Sequence, residues 1–145
     1  MPDLPATVLG AALNCWSAAA AQYDLPVELL YAIAYVESRH DPLAIAHADD
    51  GTHSVGLMQV NSSWFPTLAT HGIDTRRVRE PCVNIHIGAW ILSQEVRRYG
   101  ATWHAIGAYY AGPFTARTAN RKLPLYRSYA RRVLSAWRQL RARRP

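Results

Sequence analysis

Acidic side chains are missing from the last third of this 145-residue chain. All ten Asp and Glu lie at or before Glu95, and from Val96 onward twelve Lys and Arg stand with no carboxylate among them. Residues 1–95 hold only four basic residues, Arg39, Arg76, Arg77 and Arg79, so the two parts carry −6 and +12 and leave the net +6. A basic half of this kind implies an anionic partner: nucleic acid, a membrane surface or a cell-wall polymer. No nucleic-acid-binding motif accompanies the charge, so nucleic acid is not an expected partner, and Arg138 to Arg144 read as a solvated helix face. Cysteine is scarce. Cys15 and Cys82 allow one pairing, show no CxxC or Cys/His metal spacing, and taken alone read as two buried thiols. No apolar run is long enough for a membrane-spanning helix. No signal peptide is expected in the sequence as written: Met1-Pro2-Asp3 lacks a basic start, and Asn14 interrupts the first apolar run. No internal repeat or linker divides the chain, and its length suits one domain, residues 1–145, with one real core.

What the chain does have is apolar and aromatic surface. Half of its residues are hydrophobic, with five Trp and eight Tyr. Most of these rings belong in a core; others suit a sugar groove, where an aromatic face covers the apolar C–H face of a sugar. The periodicity is helical. A first helix is expected over residues 6–22, with Val8, Leu9, Ala12, Leu13, Trp16, Ala19 and Ala20 as its buried stripe. Pro26 at the first helical position, with Glu28 near the positive end, opens a second helix, which runs to Ser38 or Arg39 before the Asp41-Pro42 step. Asn61, Ser62 and Ser63 offer a cap before Trp64. That short helix should end near His71-Gly72, and Asp74 caps another turn through Val78. Pro81 opens a long helix in which Ile85, Ala89, Leu92, Val96 and Tyr99 form one stripe and Gly100 is the stop. Thr102 caps Trp103 to Tyr110, Gly112-Pro113 closes that helix, and the last helix is expected from Leu125 to Leu140. Between these, His40 to Ser54 is polar and irregular, and residues 52–60 suit a small hairpin or ribbon. The expected fold class is mainly α: one compact helical domain with a substrate cleft and a small β-ribbon.

The chemistry concentrates in residues 32–61. The helix that opens this stretch has almost no polar face, since Val27, Leu29, Leu30, Tyr31, Ala32, Ile33, Ala34, Tyr35 and Val36 fill it. Glu37 is the one charge near its end and shares a face with Ile33 and Leu30. A carboxylate there is costly unless paired or protonated, and an arbitrary helix-end Glu would turn to solvent. Downstream, Gly56 permits close backbone approach to a ligand, Met58 is an adaptable apolar wall, and Gln59 and Asn61 supply amides. Glycosidic cleavage needs an acid for the departing oxygen and a means of handling an oxocarbenium-like centre, and most glycosidases use two carboxylates. Glu37 is the acid candidate, because an apolar setting keeps its proton available near neutrality. Asp41, Asp49 and Asp50 are the nearest other acids, and none is compelling as a partner. His47, Asp49, Asp50 and His53 are metal-ligating types but fit no site spacing. Asp49-Asp50-Gly51 reads as a turn, and neither metal nor other cofactor is expected.

Taken in order, Glu37-Ser38, Gly56-Leu57-Met58-Gln59, Asn61-Ser62-Ser63-Trp64, Pro81-Cys82-Val83-Asn84-Ile85-His86-Ile87-Gly88-Ala89-Trp90, and Ala108-Tyr109 with Gly112 resemble the successive motifs of the soluble lytic transglycosylases. These are lysozyme-like enzymes that cleave peptidoglycan. The resemblance runs from about Cys15 to Tyr129 and is closest to small members that accompany type III secretion and related cell-envelope machines. It implies a lysozyme-like fold and a single Glu that acts twice. That Glu first protonates the bond after N-acetylmuramic acid, then takes the proton of the C6 hydroxyl as a 1,6-anhydro ring closes, with the acetamido group stabilising C1. By motif position Met58 and Gln59 line the sugar site, Ser54 reaches the carboxyl or the acetamido, Tyr109 lies opposite Glu37, and Tyr129 matches the late Tyr of the pattern. The resemblance also implies an exported, periplasmic enzyme whose leader has been removed, an oxidised Cys15–Cys82 pair, and partners among glycan strands and secretion-apparatus proteins. One departure stands out: Tyr110 occupies the place where the family usually has Asn, and the missing amide would have served either a substrate hydrogen bond or an internal loop bond. Two other readings use the same residues. A hydrolytic lysozyme would activate water with Asp41, Asp49 or Asp50. A non-catalytic wall-binding module would position a secretion apparatus, which the intact motifs argue against.

Overall fold

The computed structural model describes residues 6–112 and 119–142, with side chains over 14–112 and 121–142. Val8, Leu9, Ala12 and Leu13 of the expected first stripe, Pro113, and the terminal Arg143 and Arg144 lie outside the described side chains. The elements are α1 (Ala6–Tyr23), α2 (Val27–Ser38), β1 (Ile45–His47), β2 (His53–Val55), β3 (Val60–Asn61), a 3₁₀ turn at Ser62–Trp64, α3 (Phe65–Thr70), α4 (Thr75–Val78), α5 (Pro81–Tyr99), α6 (Trp103–Ala111) and α7 (Ala119–Ala142). The architecture is mainly α with a small antiparallel sheet in the order β1-β2-β3.

Local chemistry explains most of the boundaries. Pro26 caps α2 instead of opening it: its extended backbone (φ −63, ψ 129) lies outside the helix, and its carbonyl takes the Leu29 N–H at 3.1 Å. α2 ends where Arg39 turns left-handed (φ 55), so that its N–H reaches the Tyr35 carbonyl at 3.0 Å. Asn61 accepts from the Ser63 N–H at 3.0 Å, and Asp74 accepts from the Arg77 N–H at 2.8 Å; both are side-chain caps of the ordinary kind. Thr102 heads α6 differently. Its hydroxyl donates back to the Tyr99 carbonyl at 3.1 Å, while its own carbonyl takes the Ala105 N–H.

Two elements depart from the sequence expectation. β1 falls within a stretch that reads as irregular, because all three of its residues are exposed and no burial alternation betrays a strand. It is held by pairing with β2, Ile45 opposite Val55 and Ala46 opposite Ser54. α7 begins at Ala119 and runs through Pro124, not from Leu125. Proline removes one helix hydrogen bond and costs about 3 kcal/mol in a helix interior, but tertiary contacts hold the first turns. Lys122 donates to the Ala111 carbonyl at 2.7 Å, Tyr126 donates to the Gly112 carbonyl, and the buried Tyr126 ring fills the space left by the missing Cβ of Gly107.

α5 is the central wall. Ile85, Ala89 and Leu92 join Leu30 and Ile33 of α2 and Tyr129, Ala130 and Val133 of α7 in the main core. Ile87 and Ile91, on the same helix, join Val55 and Val60 of the sheet with Leu68 and Val78 in a second core. A disulfide links Cys15 of α1 to Cys82 in the first turn of α5, with a Cα–Cα distance of 5.4 Å.

Candidate active site

Glu37 sits one residue from the C-terminal end of α2. Leu30 and Ile33, on its face of the helix, are fully buried, whereas Glu37 itself is only partly covered. Burial raises its carboxyl pKa from the ordinary 4.5 to about 8, and the positive charge of Arg132 on α7 opposes the rise. Among the described residues no cation approaches within ion-pair distance of it, the one ion pair there being Arg98–Glu95. The result is a carboxyl group that stays protonated through neutrality at a position that substrate can reach.

The Gly56–Gln59 turn is pinned beneath this acid from both sides. The Ser38 hydroxyl lies 2.8 Å from the Leu57 carbonyl and 3.0 Å from that of Ala34, sharing its proton between them. The Asn84 amide, wholly buried in α5, accepts from the Met58 N–H at 2.8 Å and donates to the carbonyls of Val55 at 3.0 Å and Val78 at 2.9 Å. Gly56 is left-handed (φ 80), and a Cβ there would overlap the Asn84 amide. Gly88 makes room for Met58 in the same way. Gln59 also adopts a left-handed conformation (φ 50), which is uncommon outside glycine and holds local strain. Its Nε2 donates to the Gly56 carbonyl at 2.9 Å and the Ala44 carbonyl at 3.1 Å.

Two tyrosines close the other side. The Tyr109 hydroxyl donates to the Met58 carbonyl at 2.6 Å. The Tyr129 hydroxyl is buried without a hydrogen-bond partner among the described residues, a rare and costly state for such a donor. Burial raises the pKa of both phenols well above the usual value, and Glu37 adds to the rise in each case. Among the described residues Glu37 is the one carboxylate that acts on both tyrosines. Asp41 and Asp50 instead serve turns: Asp41 accepts from Leu43 N–H at 2.9 Å, and Asp50 accepts from the N–H and hydroxyl of Thr52 at 2.9 and 2.6 Å.

This is one acid, two phenols and a clamped turn, assembled from segments far apart in the chain. The transglycosylase SLT domain matches residues 14–126. The chain belongs to that family. This lytic transglycosylase domain is 38% identical over 128 residues to invasion protein IagB of Salmonella typhimurium, a match spanning 88% of the chain and 77% of IagB. It is 33% identical to protein IpgF of Shigella sonnei, across 81% of the chain and 80% of IpgF. Its fold superposes on the lytic transglycosylase Slt of Pseudomonas aeruginosa, solved as an inactive glutamate-to-glutamine mutant, with a TM-score of 0.68 and 26% identity over 91% of the chain. The chain spans 25% of that much longer Slt chain.

Within the SLT domain the remaining expected residues take different places. Ser54 lies in β2, paired with Ala46 and Asn61. Its hydroxyl accepts from the Asn61 amide at 3.2 Å, and no hydrogen bond among the described residues joins it to Glu37. Tyr110 is half exposed and stacks on Tyr129, with centroids 4.9 Å apart and planes 9° from parallel. Tyr110 thus extends an aromatic layer. His47 and His53 face each other across β1 and β2 at 6.0 Å. Three residues had no role in the sequence reading and gain one here: Ser38 and Asn84 as clamps, and Arg132 as the cation acting on Glu37. A polar Asn among the apolar positions of the Pro81–Trp90 motif was the available signal for Asn84. Arg132 is one of many arginines, and only folding singles it out. An apolar hollow of about 360 Å³, lined by Leu68, Ile73, Val83, Ile87 and Trp90 among others, holds none of these site residues.

Proposed function

We propose that this domain cleaves the β-1,4 bond between N-acetylmuramic acid and N-acetylglucosamine in peptidoglycan and leaves a 1,6-anhydromuramic acid end, with Glu37 as its single acid and base. The observation that carries the reading is that one carboxyl group, at the end of the apolar α2 and raised by burial to about 8, acts on both Tyr109 and Tyr129, and among the described residues no second carboxylate acts on both. In the first step Glu37 gives its proton to the glycosidic oxygen as the bond from C1 breaks, and the substrate's acetamido oxygen stabilises the electron-poor C1. In the second step the Glu37 carboxylate takes the proton of the C6 hydroxyl while O6 bonds to C1. The proton returns to Glu37 and no water is consumed, so a second carboxylate to activate water is unnecessary. A group near pKa 8 is protonated for the first step at neutral pH and basic enough for the second.

Gln59 borders the sugar site, whereas the expected Met58 is wholly buried against Gly88 in the main core and supports the turn from within; the rigid turn limits motion of the reacting bond relative to Glu37. The free hydroxyl of Tyr129 is suited to steady the carboxylate between the two steps. Ser54 acts through the Asn61 network at the rim, toward the acetamido. The inactive glutamate-to-glutamine form of Slt supports an essential glutamate in the family. Action in the periplasm, making room in the wall for a secretion apparatus, accords with the likeness to IagB, whose name is that of an invasion protein.

Mass analysis of muropeptides released from purified sacculi tests the reading. Anhydromuramyl ends are expected. Reducing ends would establish a lysozyme-type hydrolase instead, and no release from a folded protein would leave a wall-binding assembly module.

A further inference from the structure

We propose that the solvent face of α7 is a docking surface for an anionic phospholipid bilayer and holds the domain peripherally at a membrane. Among the described residues no helix is long and apolar enough to cross one, so the contact is one of surface with surface. Tyr129, Ala130 and Val133 turn the inner face of α7 into the main core. The opposite face is exposed. By helical spacing Arg127, Arg131 and Arg138 share one flank of that face, Arg121 and Arg132 share the other, and Pro124, Ser128 and Ser135 lie between them. Exposed guanidinium groups therefore run from Arg121 to Arg141, over about 30 Å of helix.

No carboxylate of the protein neutralises this face. Residues 96–145 contain none, and the one ion pair among the described residues, Arg98–Glu95, lies on α5. The acids all belong to residues 1–95, which carry −6, an asymmetry that steers α7 toward an anionic surface. Each basic residue beside anionic headgroups strengthens binding by about fivefold, so a face with several of them holds a bilayer without an inserted helix. Docking needs no rearrangement, because the arginines already point away from the core.

Two features select a bilayer over other polyanions. The guanidinium groups stand on two separate flanks and do not converge. A discrete anion needs convergent donors, whereas a sheet of headgroups meets cations wherever they stand. Apolar groups also lie among the cations. Leu125 is 49% exposed, one turn from Arg121 and two turns from Arg132 on the same flank. On the other flank the half-buried Trp103 ring lies under Arg127, 5.8 Å from the guanidinium carbon to the ring centroid. Leu and Trp bordering an arginine-rich helix face suit the boundary between headgroups and acyl chains, where such side chains settle. A nucleic-acid duplex or a glycan–peptide net offers them no apolar phase.

Co-sedimentation of the full chain is measured with vesicles of mixed phosphatidylglycerol and phosphatidylcholine and with vesicles of phosphatidylcholine alone, as salt is raised. Purified sacculi and duplex DNA serve as competing surfaces at the same salt. An Arg127→Gln/Arg131→Gln/Arg138→Gln variant removes one flank. An Arg76→Gln/Arg77→Gln/Arg79→Gln variant removes three exposed cations in and beside α4, so both variants have the same net charge and differ only in where it is lost. Leu125→Ser removes the apolar contact alone. Each variant is checked for helical signal and thermal unfolding. The parent should bind the anionic vesicles, ignore the neutral ones and be released by salt. The α7 triple variant should lose at least about tenfold in partitioning, and the α4 triple variant should bind as the parent does. Leu125→Ser should weaken vesicle binding and leave retention on DNA unchanged. Equal binding to both kinds of vesicle would overturn the proposal whatever the variants do. So would an equal loss in the two triple variants, an undiminished Leu125→Ser variant, or tighter retention on sacculi or DNA than on anionic vesicles. Binding is read without turnover, so none of these outcomes bears on the reaction assigned to Glu37.

Discussion

Replacing Glu37 with Gln keeps the side chain's shape and removes both its transferable proton and its charge, so it should separate catalysis from stability. Loss of a general acid or base commonly costs ~10²–10⁴-fold in a single step. Both steps depend on this group, so anhydromuropeptide release should fall to or below detection. Stability should move the other way. Burial raises the Glu37 pKa from 4.5 to about 8, and at 1.36 kcal/mol per pH unit the full difference approaches about 5 kcal/mol. The sign follows from proton linkage. Below pH 4.5 the group is protonated in both folded and unfolded chains and contributes no slope. Between 4.5 and 8 the folded protein keeps the proton and the unfolded chain releases it, so the parent loses stability as pH rises. Above 8 both forms are ionised and the loss is complete. The amide has no such slope. Thermal midpoints of the two proteins should therefore nearly coincide at pH 4.5, with the Gln variant ahead by on the order of 10 °C at pH 9. Titrations of all other groups are common to both proteins and cancel. A folded variant that releases anhydromuropeptides near the parent rate would refute the mechanism. A gap in midpoint that fails to widen with pH would refute the burial argument even if activity is lost.

Other outcomes follow from the same geometry. Asp41→Asn, Asp49→Asn and Asp50→Asn should each keep most of the parent rate on sacculi; loss in one of them, together with reducing-end products, would transfer the reaction to a two-carboxylate hydrolase. Asn84→Ala strands the Met58 N–H and the carbonyls of Val55 and Val78 inside the protein, at a cost of about 1–3 kcal/mol for each unsatisfied group. Urea unfolding should show the loss, and activity should fall because the Gly56–Gln59 turn is no longer held. Reducing the disulfide, which spans a sequence separation of 67, should lower stability by about 4 kcal/mol through the longer-range freedom of the unfolded chain. Comparing denaturation of the intact protein with that of a Cys15→Ser/Cys82→Ser variant measures it.

Periodicity and capping chemistry determine the helices of this protein, because each is a local property. The stripe of Ile85, Ala89, Leu92, Val96 and Tyr99, the caps at Asn61 and Asp74 and the glycine stop at Gly100 can all be read without a neighbour in view. Glu37 is legible for a related reason: a lone acid at the end of an apolar helix is anomalous wherever that helix packs. The motifs around it were legible as an ordered set. Tertiary structure decided what no local pattern encodes. β1 exists only because β2 lies beside it, as its own residues bury nothing. α7 passes through Pro124 because Ala111 and Gly112 offer carbonyls to its first turns. The unpartnered Tyr129 hydroxyl, the hold of Ser38 and Asn84 on the Gly56–Gln59 turn, and the choice of Arg132 from among many arginines arise when α2, α5 and α7 meet. Proton affinity belongs to that meeting as well. A carboxyl group acquires a pKa near 8 from the low-dielectric surroundings that distant residues build around it, and sequence spacing specifies the group without specifying those surroundings.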